Sequence, residues 1–358
     1  MINNRSWAEI NLAALERNLG LIRDSLPQNV HYISVVKADA YGHGIHPTAA
    51  RLMQSGVDVF AVANVQEASE IREMGSGWPI LILGPLLEEE DEALFDFDLI
   101  PTLSSEEELH RFKELSQKHQ KQISVHIKID SGMGRHGAWW EKAEELIELV
   151  VASEEINICG ALTHFAQPLD LSFTQEQRNR FLSVLERTQI HRQKDFLVHA
   201  DNSSSLRSFD RKNIFNAVRI GLLQFGISPP QESILANLEV EPVLSFHAKL
   251  AMIKDLPKGT TLSYERQFTL TRDSKIGIIS AGYGDAIPLP CGNRAHGLID
   301  GHPYPLVGRV TMDQTLIDLT DMKNEIKPGQ IVTLIGTQAK KEILLTELAN
   351  HADTIPWE

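Results

Sequence analysis

The chain has 358 residues, with 34 lysines and arginines against 48 aspartates and glutamates; the formal charge of −14 argues against a general binder of nucleic-acid backbones. Hydrophobic residues make up 42%, yet no apolar run approaches the ~20 residues of a membrane span, and the length suggests about two domains. Two cysteines, Cys159 and Cys291, are too few for a disulfide framework or a thiolate zinc site; with no signal peptide visible, a cytoplasmic location is expected.

After Asn11, the positions Leu12, Leu15, Leu19, Ile22 and Leu26 step by three or four and predict one helix face. His31 to Lys37 reads as a buried strand; Pro47 opens the next helix and Ser55-Gly56 closes it. A strand over Val57 to Val62 follows, then a helix whose Asn64 and Glu67 are spaced as a capping box. Further strands are expected at Pro79 to Leu83, near Leu99, and at Ser124 to Asp130, Ile158 to His164, Phe196 to His199 and Val218 to Ile220. Helices are expected from the Ser104-Ser105 cap, over Trp140 to Ala152, and over Phe173 to His191. About eight strands alternating with helices predict an α/β barrel of the TIM type, (β/α)8, over residues 1–230, although a doubly wound sheet has the same local alternation.

From residue 231 onward, strand-like runs dominate: Val243 to Lys249, Ser274 to Ala281, Leu306 to Val310 and Gln330 to Ile335. Leu298-Ile299-Asp300-Gly301 is a hairpin signal, and a last helical piece covers Glu342 to His351. Residues 231–358 are therefore expected to form a second, mostly β domain.

Residues able to do chemistry gather at the predicted strand ends. In VVKADAYGHG, Lys37 closes an apolar strand and runs into a glycine turn. Burying an ammonium is costly unless it is neutralised or used, and barrels keep their chemistry at the carboxyl ends of strands. In KIDSGMGR, Arg135 offers a planar donor fork suited to a carboxylate. Thr163-His164-Phe165, His199 to Ser205 and Val218-Arg219-Ile220-Gly221-Leu222 end three more strands, the last two with serines and a glycine where barrels bind phosphate. Each signal alone is weak; five in barrel order are hard to attribute to chance.

VVKADAYGHG resembles the pyridoxal-phosphate attachment motif of alanine racemases, and IKIDSGMGR, THF, HADNS, VRIG, LSYERQF, GYGD and VGRVTMDQ follow in an order similar to that family, from about Trp7 to the last residue. The resemblance implies an enzyme that interconverts L- and D-alanine by a two-base mechanism and supplies D-alanine for peptidoglycan. It implies that Lys37 forms the internal aldimine with pyridoxal 5′-phosphate, and that Tyr41, Ser203, Gly221 and Leu222 hold the phosphate. Arg219 would contact the pyridine nitrogen, with His164 beside it. Arg135, Met312, Asp313 and Tyr283 would attend the substrate. Tyr264 would be the second base, since racemisation needs an acid/base group on each face of a planar carbanion. With Tyr264 and Met312 supplied by the other subunit, the resemblance implies a homodimer with shared sites. Lys128 is a position often carbamylated in the family, where it orients Arg135. No metal, nucleic-acid partner or membrane is expected. A fold-related amino-acid decarboxylase, a racemase of broader specificity and a non-catalytic cofactor carrier are the rival readings.

Overall fold

A computed structural model of the chain describes residues 4–207 and 214–358. Two compact units emerge: one is Leu12–Glu241, the other combines Met1–Asn11 with Pro242–Glu358. In chain order the elements begin β1 (Ser6–Ile10), α1 (Leu12–Ser25), β2 (His31–Val35), the one-turn α2 (Lys37–Gly42), α3 (Ile45–Gln54), β3 (Val59–Val62), α4 (Val65–Met74) and β4 (Ile80–Ile82). They continue with α5 (Ala93–Asp96), β5 (Ile100–Leu103), α6 (Glu106–His119), β6 (Ile123–Asp130), β7 (Ala138–Trp139), α7 (Ala143–Val151), β8 (Ile156–Leu162), α8 (Leu171–Thr188), β9 (Leu197–His199) and β10 (Ala217–Ile220).

Strands β2, β3, β4, β5, β6, β8 and β9 pair in parallel, each with the next, and β10 pairs in parallel with β2. Between β9 and β10 the gap is bridged at Asn202–Arg219, so the sheet closes on itself as the expected TIM-type barrel rather than an open sheet. The strands are mostly short and rich in apolar residues, and in β3 every residue is buried, because helices cover the barrel's outside. Helix α1 buries Leu15, Leu19 and Ile22 of the stripe read from the sequence, together with Ala14. Helix α6 starts as expected: Glu108 N–H donates to the Ser105 side chain at 3.2 Å.

Several local expectations differ; the last helical piece, expected from Glu342, begins only at Leu345, and Glu342 lies in a strand. Asn64 caps α4, accepting from Glu67 N–H at 3.0 Å, but the Glu67 carboxylate accepts from Ala63 N–H at 2.9 Å instead of closing a box on Asn64. Trp140 lies ahead of α7, in the turn after β7. The expected division after residue 230 falls within the barrel unit, which extends to Glu241. There Asn18 Nδ2 donates to the Gln224 and Glu241 carbonyls at 3.1 and 2.8 Å, and Arg17 pairs with Glu241, tying this segment back to α1.

The second unit continues β11 (Leu244–Leu256), β12 (Thr261–Leu262), β13 (Phe268–Thr269), β14 (Ser274–Ile279), β15 (His296–Ile299), β16 (His302–Val307), β17 (Thr315–Asp318), β18 (Ile331–Gln338), β19 (Lys341–Ile343) and α9 (Leu345–His351). Its main sheet is antiparallel in the order β1-β11-β14-β17-β16-β15-β18-β19, with β11 also paired to β18. Asp300 and Gly301 join β15 to β16 with φ of 51° and 76°, the left-handed pair that a tight hairpin requires. Strand β1 was not read from the sequence; its partner β11 lies across the whole barrel segment, so no local pattern announces it.

A polar seam joins β2 to the turn after β10. Gln224, fully buried, accepts from Tyr32 Oη at 3.1 Å and Ser34 Oγ at 2.8 Å, and donates to the Val35 carbonyl at 3.1 Å. Gln224→Leu strands these buried groups at about 1–3 kcal/mol each. The thermal unfolding midpoint of the variant should fall by several degrees; an unchanged midpoint would show that the seam contributes nothing.

Candidate active site

Lys37 opens α2 directly after β2, and α2 is not an ordinary helical turn. Ala38, Asp39, Ala40 and Tyr41 all lie in the left-handed region, with φ of 53°, 53°, 54° and 55°. L-residues pay roughly 1–2 kcal/mol each in that conformation, so the surroundings must hold it. Ala38 N–H donates to Glu67 Oε1 at 2.6 Å, and Ile45 N–H donates to Asp39 Oδ1 at 2.6 Å. His43 Nδ1 lies 3.0 and 2.9 Å from the carbonyls of Ala40 and Tyr41, so that nitrogen carries the proton. The half-buried Lys37 ammonium is lowered in pKa by burial first, then by the charges of Arg135 and Arg219, with Glu67 opposing. Glu67 thus braces the lysine turn and α4 at once, a role its sequence spacing disclosed only as a cap.

At the far side of the β2 seam stands Arg219 on β10, 3% exposed. Its Nη1 donates to His199 Nδ1 at 2.8 Å and to the His199 carbonyl at 3.0 Å. Its Nη2 donates to the carbonyls of Thr163 and Ala200, both at 2.8 Å, and to His164 Nδ1 at 3.2 Å. Its Nε–H has no acceptor among the described residues. A guanidinium only donates, which fixes the tautomers around it. His199 accepts at Nδ1, so its proton sits on Nε2, 2.9 Å from His126 Nδ1. His164 likewise keeps its proton on Nε2. Burial, followed by the Arg219 charge, pushes His126 down to about 3 and His164 to about 2, and sends His199 well below its usual value; all three are neutral at physiological pH. Arg219 itself is lowered by burial only to about 10 and stays charged.

Strand β6 adds Lys128 and the turn that carries Arg135. Asp130 Oδ1 accepts from the N–H groups of Gly132, Met133 and Gly134 at 2.9, 2.8 and 3.1 Å, which holds the turn and leaves the Arg135 side chain exposed. Lys128 is buried and makes no ion pair among the described residues. Burial, then Arg219 and Arg135, lowers it to about 7.

After β9, Asn202 Oδ1 accepts from the N–H groups of Ser204 and Ser205 at 3.0 and 3.1 Å, and Ser233 Oγ donates to the Ser203 carbonyl at 2.6 Å. The Ser203 hydroxyl is buried with no hydrogen-bond partner. The Asn202–Arg219 bridge sets the Ser203 turn level with Gly221, which leads into a 3-10 turn over Leu222–Phe225. A Cβ on Gly221 would lie 2.9 Å from Tyr41 Oη, so a glycine is needed where the two segments meet. Burial raises the Tyr41 phenol to about 12.

The remaining expected residues belong to the other unit. Tyr264, Met312 and Tyr283 are 70%, 62% and 45% exposed, unusual for such large side chains, and Asp313 is exposed too. Their loops interlock: Tyr283 N–H donates to the Thr311 carbonyl at 2.9 Å, Gly284 N–H to the Met312 carbonyl at 2.8 Å, and Ser263 Oγ to the Arg309 carbonyl at 2.6 Å. Glu265 pairs with Arg309, fixing the turn that presents Tyr264. The structure thus gathers Lys37, Tyr41, Lys128, Arg135, His164, Ser203, Arg219, Gly221 and Leu222 in the barrel unit, and Tyr264, Tyr283, Met312 and Asp313 in the β unit. Sequence reading missed Glu67 as a brace, the His126–His199 relay and the Asp130 turn, since each depends on a partner distant in sequence or on backbone N–H groups.

Comparison with known proteins identifies the family. The family profile "Alanine racemase, N-terminal domain" matches residues 10–229, and "Alanine racemase, C-terminal domain" matches residues 243–358. An alanine racemase from Halothermothrix orenii is 37% identical, covering 100% of this chain and 94% of its own. Among solved structures, the Bacillus anthracis alanine racemase with bound L-Ala-P superposes with a TM-score of 0.87 at 32% identity, covering 100% of this chain and 92% of the other. The Bartonella henselae alanine racemase, solved with covalently bound pyridoxal phosphate, gives a TM-score of 0.87 at 26% identity, covering 99% and 96%. The chain belongs to the alanine racemase family.

Proposed function

We propose that the protein interconverts L- and D-alanine with pyridoxal 5′-phosphate, as a homodimer with shared sites, and that it works in the cytoplasm as a source of D-alanine for peptidoglycan. The observation that carries this reading is the buried, unpartnered Ser203 hydroxyl level with the Gly221 turn, on the same barrel rim as a half-buried lysine of lowered pKa. That donor set fits the cofactor. Lys37 would hold it through its amine, Tyr41, Ser203, Gly221 and Leu222 would hold its phosphate, and the free Nε–H of Arg219 would donate to its ring nitrogen. Bound there, pyridoxal phosphate supplies a conjugated sink for the electron pair left when an amino acid loses its α-proton.

The chain's own residues supply the proton traffic. Burial and two guanidiniums favour the free amine of Lys37, the form able to take a proton at the α-carbon from one face. Tyr264, presented by the partner, would serve the other face. A phenol that is to accept a proton needs a hydrogen-bond donor to steady its phenolate. His164 offers its Nε2–H, because Nδ1 is committed to Arg219. Arg135, exposed on its glycine turn, would hold the substrate carboxylate, and Met312, Asp313 and Tyr283 would also attend the substrate.

Lys128 is read as a carbamylation site. An amine lowered to about 7 has a substantial neutral fraction near pH 7, and a carbamate there would place an anion among Arg219, Arg135 and Lys37. The neutral amine is the reactive form, so the modification should be lost as pH falls below about 7. Protein equilibrated with ¹³C-bicarbonate should show a carbamate resonance that is absent from Lys128→Arg; no resonance in the wild type would sink this assignment.

Two further measurements test the main reading. In deuterium oxide, either enantiomer of alanine should exchange its α-hydrogen and invert, with L-serine run alongside for breadth. Carbon dioxide release without inversion would establish a decarboxylase, and no reaction a carrier. For shared sites, Lys37→Ala and Tyr264→Phe should each be inactive, while their mixture after subunit exchange should recover about a quarter of wild-type activity, because only one site of each mixed dimer is intact. A mixture that stays silent while mixed dimers are demonstrated would place both residues in one chain's site.

A further inference from the structure

One cluster lies outside the residues discussed so far. Glu347 and His351 sit one turn apart on the same face of α9, and His296 begins β15 opposite them. Glu347 Oε1 lies 3.5 Å from His296 Nε2 and 3.9 Å from His351 Nε2. One ligand atom from each residue falls within 4.8 Å of the other two. These distances are too long for a carboxylate hydrogen-bonded to both rings. They are close to what a small ion requires, since zinc bonds of ~2.0–2.1 Å in tetrahedral geometry set neighbouring ligand atoms ~3.3–3.4 Å apart.

From this geometry we infer that His296, Glu347 and His351 bind one zinc ion and thereby pin α9 to β15. Two imidazoles and one carboxylate are a donor set for zinc and related transition metals, whereas magnesium and calcium call for oxygen ligands throughout. The three side chains are half-buried, so part of the hydration that competes with a metal is already removed. The rings stand at 79° to each other with centroids 6.3 Å apart, so they are not stacked, and a small rotation of each brings both nitrogens toward the carboxylate. The elements that carry them are fixed: Leu348 and Ala352 belong to the β unit's core, and β15 is paired with both β16 and β18. Arg294 beside His351 is engaged with Asp353 and donates to the His351 carbonyl at 3.4 Å. Three protein ligands leave a fourth position for water. None of the three residues belongs to the proposed racemase machinery, so the role is structural.

The test uses untagged, cofactor-loaded protein freed of metal by a chelator and then titrated with zinc chloride against a chromophoric competitor. One equivalent per chain should bind, with a rise in the thermal midpoint. Glu347→Gln, His296→Asn and His351→Asn should each weaken zinc at least ~10-fold, abolish the midpoint rise and leave alanine racemisation unchanged. Cobalt(II) should give the intense visible bands of a four-coordinate site in the wild type and lose them in Glu347→Gln, the near-isosteric change that keeps the fold. Absence of zinc binding in the wild type, or stoichiometric binding that persists in all three variants, would overturn the assignment.

Discussion

A buried guanidinium that can only give hydrogen bonds organises the barrel rim. Arg219 spends its Nη groups on three carbonyls and two imidazole nitrogens, and in doing so dictates where the protons of His164 and His199, and through His199 the relay to His126, must lie. Burial lowers the proton affinity of Lys37 and Lys128 and keeps His126, His164 and His199 neutral, and the Arg219 charge, which is retained, adds to the same effect. Asp201 offsets part of the burial, itself held by a bidentate pair with Arg178 at 2.6 and 3.0 Å. The result is a rim where Arg219, Arg135, Lys128 and Lys37 lie close enough to feel one another's charge, an environment suited to anionic groups such as a phosphate and an amino acid's carboxylate.

That charged rim is useful only if the lysine stays put, and here the backbone does the holding. Four successive left-handed residues would unwind in a free peptide. Glu67, Asp39 and His43 each take up one part of the turn, so the strain is distributed over side chains from α2, α3's entry and α4. Behind it, Gln224 links β2 to the turn after β10, which keeps the lysine turn and the glycine cradle in a common frame.

The sequence showed most of the barrel because its strands are short apolar runs and its helices carry a regular buried stripe. It showed the rim as well, since a polar residue following such a run, as at Lys37, His164 or Arg219, has a predictable place in a barrel. The Asp300-Gly301 hairpin was legible for a local reason, the conformational preference of two residues. What stayed hidden depends on partners far apart in the chain. Glu67 looked like a helix cap because only one of its carboxylate's acceptances is local. Asn18 and Glu241 settle where the barrel unit stops, and no spacing relates them. The left-handed turn was hidden for another reason: Ala38, Asp39, Ala40 and Tyr41 have no marked preference for that conformation, which is imposed from outside.

Strand β1 is made first and completed late. Its antiparallel register, Ser6 opposite Ala248 and Ile10 opposite Leu244, needs residues that leave the ribosome only after the whole barrel segment has emerged. The β unit must wait for segments on both sides of the barrel segment, β1 before it and β11 after it. Loss of β1 would therefore strike the smaller unit, most of it encoded after the barrel, and leave the larger unit encoded beside β1 largely untouched.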